Sequence, residues 1–199
     1  MQDIVLSDVS KSFGDHVVLK NLSMCFPAGN VSCITAPSGA GKTTLLRLLC
    51  GLEIPDTGEI SGTENVRFGI VFQEDRLFPW GSAVGNVCFS NRNLSKVKTK
   101  EAMHAIGLME SEQKASELSG GMARRVALLR ALLSENDILL LDEPFKGLDE
   151  ETRAQVIDYF LSHRNGRTVI LVTHDPKEAE AMGAKVFSLP LIEEEKHVG

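Results

Sequence analysis

Three stretches of this chain gather the groups from which phosphate chemistry is built. Ala36-Pro37-Ser38-Gly39-Ala40-Gly41-Lys42-Thr43 matches the pattern G-x-x-x-x-G-K-[ST] at every position but the first, and Thr44 follows. In such a loop the glycines let successive backbone N–H groups turn inward around phosphate oxygens, and the start of the next helix adds positive potential. Lys42 then reaches the terminal phosphates and the Thr43 hydroxyl ligates Mg²⁺. Alanine at position 36 suits a negative φ and strains the loop if the left-handed region is needed. Farther on, the apolar run Ile138-Leu139-Leu140-Leu141 ends in Asp142-Glu143-Pro144. It puts two carboxylates at the carboxyl edge of a sheet, where Asp142 suits Mg²⁺ through its water shell and Glu143 suits a general base for an attacking water. In the third stretch, Leu118-Ser119-Gly120-Gly121-Met122 opens another helix. Taken alone it is a capping signal. Beside the first loop it is a second anion-binding helix start, one that another copy of the chain could lend to a nucleotide held on the first.

Elements of a recognisable kind must position these groups. Residues 2–9 and 16–26 read as an N-terminal β-hairpin around Phe13-Gly14-Asp15, and 30–35 as a short strand entering the glycine loop. Thr43 to Cys50 reads as a helix stopped at Gly51, and Val66 to Phe72 as a strand. Residues 99–109 and 121–133 have helical periodicity, and about 74–118 reads as a mostly helical insertion. A buried parallel strand at 137–141 is followed by a helix at 149–163, a strand at 167–173, a helix near 176–182 and a strand near 185–189. This alternation predicts an α/β layered core.

The bulk composition narrows the function classes. The 199 residues suit one domain, and 43% hydrophobic with 24% charged residues is ordinary for a globular protein. A net charge of −6 offers no general attraction for a phosphate backbone, which argues against a nucleic-acid partner. Cys25, Cys33, Cys50 and Cys88 have neither disulfide nor zinc spacing. The start Met1-Gln2-Asp3-Ile4 carries no basic leader and no apolar run is long enough to span a bilayer, so any membrane association is expected to come through a partner.

From about residue 2 to 190 the sequence resembles the ATP-binding subunits of ABC transporters. Residues 36–44 look like Walker A, Gln73 like the Q-loop, Leu118 to Met122 like the signature, Leu139 to Glu143 like Walker B, Gly147-Leu148-Asp149 like the D-loop, and Thr173-His174-Asp175 like the H-loop. The resemblance implies an α/β P-loop NTPase core of ABC type. A RecA-like core with an N-terminal antiparallel β subdomain would take in about 1–73 and 119–192, with a helical subdomain at about 74–118 and a tail at 193–199. It further implies a cytoplasmic ATP hydrolase using ATP and Mg²⁺, peripheral on the inner face of the cell membrane. The implied partners are a second ATP-binding subunit in a head-to-tail homodimer, an integral membrane permease and an extracytoplasmic solute-binding protein. Carried onto this chain, Glu143 becomes the base, His174 a γ-phosphate contact, and Gln73 a sensor of Mg²⁺ and water. Ser38, Gly39, Ala40, Gly41, Lys42, Thr43 and Thr44 hold the nucleotide in cis, while Ser119, Gly120, Gly121 and Asp149 act across the dimer. Thr43, Gln73 and Asp142 attend the metal, and Phe13 matches the aromatic that stacks on adenine.

Phe72-Gln73-Glu74-Asp75-Arg76-Leu77-Phe78-Pro79-Trp80 looks most like the importer branch for nitrate, sulfonates, taurine or thiamine precursors. The chain departs from the family pattern at Ala36, at Asp75 where proline is expected, at Arg124 where glutamine is usual, and at Lys146. A soluble, non-transport ABC-type ATPase is the alternative class, and a cassette that binds without hydrolysing is a third. Leu77 to Trp80 suits either the core of the insertion or an anchor for a membrane partner.

Overall fold

Burial on both faces explains why the apolar runs at 31–35, 138–142 and 168–172 are strands. The computed structural model describes residues 2–37 and 39–190, so Ser38 and the expected tail at 193–199 lie outside the described residues. Strands β1 (Ile4–Phe13) and β2 (His16–Phe26) pair antiparallel, and Phe13 is the last strand residue, opposite His16, rather than part of the turn. Strand β3 (Val31–Thr35) leads through the glycine loop into helix α1 (Lys42–Leu49). Next comes β4 (Thr57–Ser61), which joins β1 in a three-stranded antiparallel sheet of order β2-β1-β4. The sequence reading did not predict β4, because Thr-Gly-Glu-Ile-Ser has neither alternation nor enough β-branched content to stand out.

Strand β5 (Phe68–Val71) is followed by the insertion, whose helices are α2 (Ala83–Cys88) and α3 (Lys96–Ala105). These are shorter than a mostly helical reading implies. Ser95 caps α3 ahead of the expected start, and Gly107 at φ +73 lies beyond its end. Helix α4 (Gly120–Leu133), strand β6 (Ile138–Asp142), helix α5 (Glu150–His163), strand β7 (Thr168–Val172), helix α6 (Pro176–Ala181) and strand β8 (Lys185–Ser188) complete the order.

The second sheet is parallel, of order β5-β6-β7-β3-β8. Ile138 and Leu140 pack with α1 and the antiparallel sheet, whereas Leu139 and Leu141 pack with α4, α5 and the insertion. Both faces of β6 are therefore covered, and its sequence is continuously apolar for that reason. Because β3, β5, β6 and β7 run parallel, the segments that follow them emerge on one edge. That edge receives residues 36–37 and 39–41, Phe72-Gln73, Glu143 and Thr173-His174.

Candidate functional site

Glycine geometry sets the loop after β3. Gly39 and Gly41 have φ of +83 and +86, which L side chains rarely adopt. A Cβ on Gly41 would stand 2.8 Å from Val18 Cγ1 of β2, so this position is closed to side chains on two counts. Ala36 is not among the residues at positive φ, so alanine there causes no backbone strain. Lys42 folds its ammonium back across the loop and donates to the carbonyls of Ala36 (2.7 Å) and Pro37 (2.8 Å). Ala40 is buried, while Thr44 lies half-buried in the first turn of α1.

The Thr43 hydroxyl donates to Asp142 Oδ2 at 2.7 Å and so ties the glycine loop to the end of β6. Burial pushes the Asp142 carboxyl above its ordinary range, against the opposing Thr43 hydrogen bond. Its neighbour Glu143 has φ +49, an uncommon conformation for a side-chain-bearing residue, and its N–H is anchored on the Val172 carbonyl at 2.9 Å. The turn aims the Glu143 carboxylate at His174, whose Nδ1 donates to Oε1 at 2.9 Å and to Oε2 at 3.0 Å. This hydrogen bond, and then the carboxylate's charge, raise the His174 pKa. The strand-end Thr173 donates to the buried Glu178 at 2.5 Å, and Arg153 of α5 reaches Asp175 (3.0 Å) and Glu178 (3.6 Å). The sequence reading did not find this support, because Arg153 lies 20 or more positions from Thr173, Asp175 and Glu178 and the group matches no spacing pattern.

Ser119 caps α4 by accepting from Met122 N at 3.3 Å, and Asp149 caps α5 by accepting from Thr152 N at 2.9 Å. Those Thr152 hydrogen bonds hold the Asp149 carboxyl below its ordinary value. Gly120 and Gly121 line a cleft of about 710 Å³ with Gln73, Glu74, Asp75, Arg124, Lys146 and Gly147. No described residue of the glycine loop lines this cleft. Gln73 is exposed at the rim. Phe13, 45% exposed at the hairpin end, has the Lys11 ammonium 5.4 Å from its ring centroid. The structure thus joins Lys42, Thr43, Asp142, Glu143 and His174 along one edge, and leaves Ser119, Gly120, Gly121 and Asp149 outside it.

On the insertion, Phe78, Trp80, Gly81, Gly85, Asn86 and Phe89 surround an apolar pocket of about 240 Å³. Trp80 is 76% and Phe89 71% exposed, so neither is core. Phe78 contacts both rings, tilted against Trp80 at 5.6 Å and edge-on to Phe89 at 4.6 Å between centroids, and Asn86 pins its main chain (2.7 and 3.1 Å).

Comparison with known proteins gives a single answer. The model of the "ABC transporter" family matches residues 19–146. The aliphatic sulfonates import ATP-binding protein SsuB of Escherichia coli (strain K12) is 42% identical over 207 residues, covering 97% of this chain and 78% of its own. An SsuB 2 of Pseudomonas aeruginosa (strain UCBPP-PA14) is 40% identical over 195 residues, covering 92% and 70%. A dimeric ATP-binding cassette in a post-hydrolysis state, bound to ADP and Pi, superposes with a TM-score of 0.80 at 27% identity, covering 94% of each chain. With the glycine loop, the carboxylate edge and this coverage in agreement, the chain belongs to the ABC transporter family as an ATP-binding, ATP-hydrolysing cassette.

Proposed function

We propose that the cassette energises a membrane importer of aliphatic sulfonates, and that hydrolysis takes place on the edge where Thr43 meets Asp142 and Glu143 meets His174. The Thr43–Asp142 hydrogen bond at 2.7 Å is the observation that carries this reading. It brings a hydroxyl and a carboxylate, both hard oxygen donors, together beside Lys42, as Mg-ATP requires. When bound, Mg²⁺ would be held by Thr43 and Asp142 with Gln73 close by, and would neutralise phosphate charge. Lys42 exchanges loop carbonyls for the terminal phosphates, and the residues around Gly39, Ala40, Gly41 and Thr44, with Ser38, cradle them through backbone N–H groups. Phe13 offers a ring face to adenine. Glu143 takes the proton of the attacking water, while His174 orients that carboxylate and contacts the γ-phosphate.

Ser119, Gly120, Gly121 and Asp149 complete the site of a second copy. In this reading the chain acts as one cassette, in which the insertion at about 74–118 meets the permease through Phe78, Trp80 and Phe89. An extracytoplasmic solute-binding protein delivers cargo to that permease. The names of the relatives, at 40–42% identity, support the sulfonate class.

Uptake tests the proposal. The cassette is co-purified with its permease, reconstituted in vesicles with ATP inside, and offered, together with the solute-binding protein outside, a labelled aliphatic sulfonate against nitrate and a pyrimidine precursor of thiamine. Sulfonate uptake is expected, and preferential uptake of another solute would overturn the assignment. Trp80→Ala is expected to weaken permease capture by about 2 kcal/mol while the subunit's basal ATPase and melting temperature hold. A lowered melting temperature with unchanged capture would place Trp80 in the fold instead.

A further inference from the structure

Arg124 lies behind the Gln73 loop. Its side chain is only 6% exposed. Nη1 donates to the Phe72 carbonyl at 2.7 Å and Nη2 to the Gln73 carbonyl at 2.5 Å, while Nη1 also lies 3.1 Å from the Asp75 carboxylate. Farther along α4, Arg130 donates to the carbonyls of Asp75 and Arg76, both at 2.8 Å. Arg76 has φ +46 and sets its guanidinium 4.0 Å from the Phe72 ring centroid. The main chain from Phe72 to Arg76 is thus held by guanidinium groups of α4, the helix that starts with Gly120 behind its Ser119 cap. Strand β5 ends at Val71, so this grip begins where the sheet lets go. It closes on main-chain oxygens and leaves the Gln73 amide outside it. A planar guanidinium suits the task because its donors fork toward two carbonyls while its charge faces a carboxylate, which an ammonium does not match.

We propose that Arg124 is a positioning residue for hydrolysis: it fixes the Gln73 amide relative to the Thr43–Asp142–Glu143 edge and makes that placement follow the helix that Ser119 caps. The inference rests on the reading of Gln73 as a group acting on Mg²⁺ and the attacking water. Asp75 is its counterion, so two of the four positions at which the chain departs from the family pattern, 75 and 124, form one ion pair.

A double-mutant cycle on the full chain is the test, with wild type, Arg124→Lys, Gln73→Ala and the double variant compared for ATP affinity, melting temperature, kcat and the Mg²⁺ concentration giving half-maximal rate. Arg124→Lys keeps a cation opposite Asp75 but gives up the forked donation. It is expected to bind ATP within about twofold of wild type, to lose about tenfold in kcat and to need more Mg²⁺. In the Gln73→Ala background the same substitution is expected to change kcat by less than about twofold, because a placement already without function cannot be lost again. Effects that multiply would overturn the proposal, as would an unchanged kcat in Arg124→Lys. Full activity of Gln73→Ala would remove the reading of Gln73 and the proposal with it. If Arg124→Lys does not fold, Arg124→Gln with Asp75→Asn removes both charges together and carries the same cycle.

Discussion

The chain starts two helices with glycine, and the reasons differ. At α1, Gly41 is fixed from within: φ is +86 and a Cβ would strike Val18. Lys42 and Thr43 already bond to groups of the same chain. At α4, Gly120 is not at positive φ, and a Cβ there would meet nothing within 4 Å. Nothing described in the chain requires glycine at 120. In the proposed two-copy reading, that open helix start is the face on which the partner's nucleotide docks.

The largest expected effect lies on the internally fixed side. Lys42→Ala should weaken ATP binding by the isolated chain roughly 100-fold, since a charge-assisted hydrogen bond is lost and the loop holds no other cation. Nucleotide titration at fixed Mg²⁺ measures it. Affinity within about threefold of wild type would sink the assignment of Lys42.

Ser119→Arg breaks the other side alone. Monomer folding and ATP affinity should stay close to wild type, and turnover should fall roughly 100-fold, because the added bulk and charge stand where the partner's phosphates dock. Mixing with Glu143→Gln chains, themselves expected to hydrolyse roughly 100-fold more slowly, gives a heterodimer with one composite site intact. Turnover should partly return in the mixture, and unperturbed turnover by Ser119→Arg alone would end the two-copy arrangement.

A subtler change separates stability from activity. Gly120→Ala should leave melting unchanged or raise stability by up to about 1 kcal/mol, because alanine narrows the unfolded ensemble and meets no clash. Turnover should still fall by about tenfold as the methyl enters the approach path. Gly41→Ala should do the reverse, costing about 1–3 kcal/mol of stability through strain at positive φ. Thermal melts and ATPase on both variants check the contrast, and equal stability losses would erase it.

Legibility in the sequence follows the same division. The glycine loop, the Asp142-Glu143 strand end and the Ser119 cap are contiguous motifs, each with its chemistry in a few adjacent residues, and could be read directly. The period of the apolar runs likewise exposed β6, β7 and α5. What could not be read is held by long side chains across unrelated segments. Arg124 reaches back more than 50 positions to the carbonyls of Phe72 and Gln73, and Arg153 spans to Asp175 and Glu178. Main-chain acceptors leave no trace in residue identity, so Arg124 stood out only as an unusual residue. Trp80 was evenly poised for a related reason: an apolar run reads alike as core or as surface anchor, and only its 76% exposure separates the two.

The smallest expected effect concerns the Glu143–His174 pair, which belongs wholly to one chain. The Glu143 hydrogen bond, followed by its charge, raises the His174 pKa, so the protonated ring is favoured in the folded state. For a histidine raised above its unfolded value, the stabilisation is fully present below the ordinary histidine pKa and is lost as pH rises through the raised one. His174 is 73% exposed, and solvent screening keeps the stability effect slight, so titration is the sensitive measurement. In the nucleotide-free monomer, NMR of the ring protons should give a His174 pKa above the ordinary value of 6.5, falling back toward it in Glu143→Gln. The shift should need neither ATP nor a second copy, because both partners sit on the β6–β7 edge. A His174 that titrates normally in the monomer and shifts only on ATP-driven dimerisation would move this pair to the externally completed side.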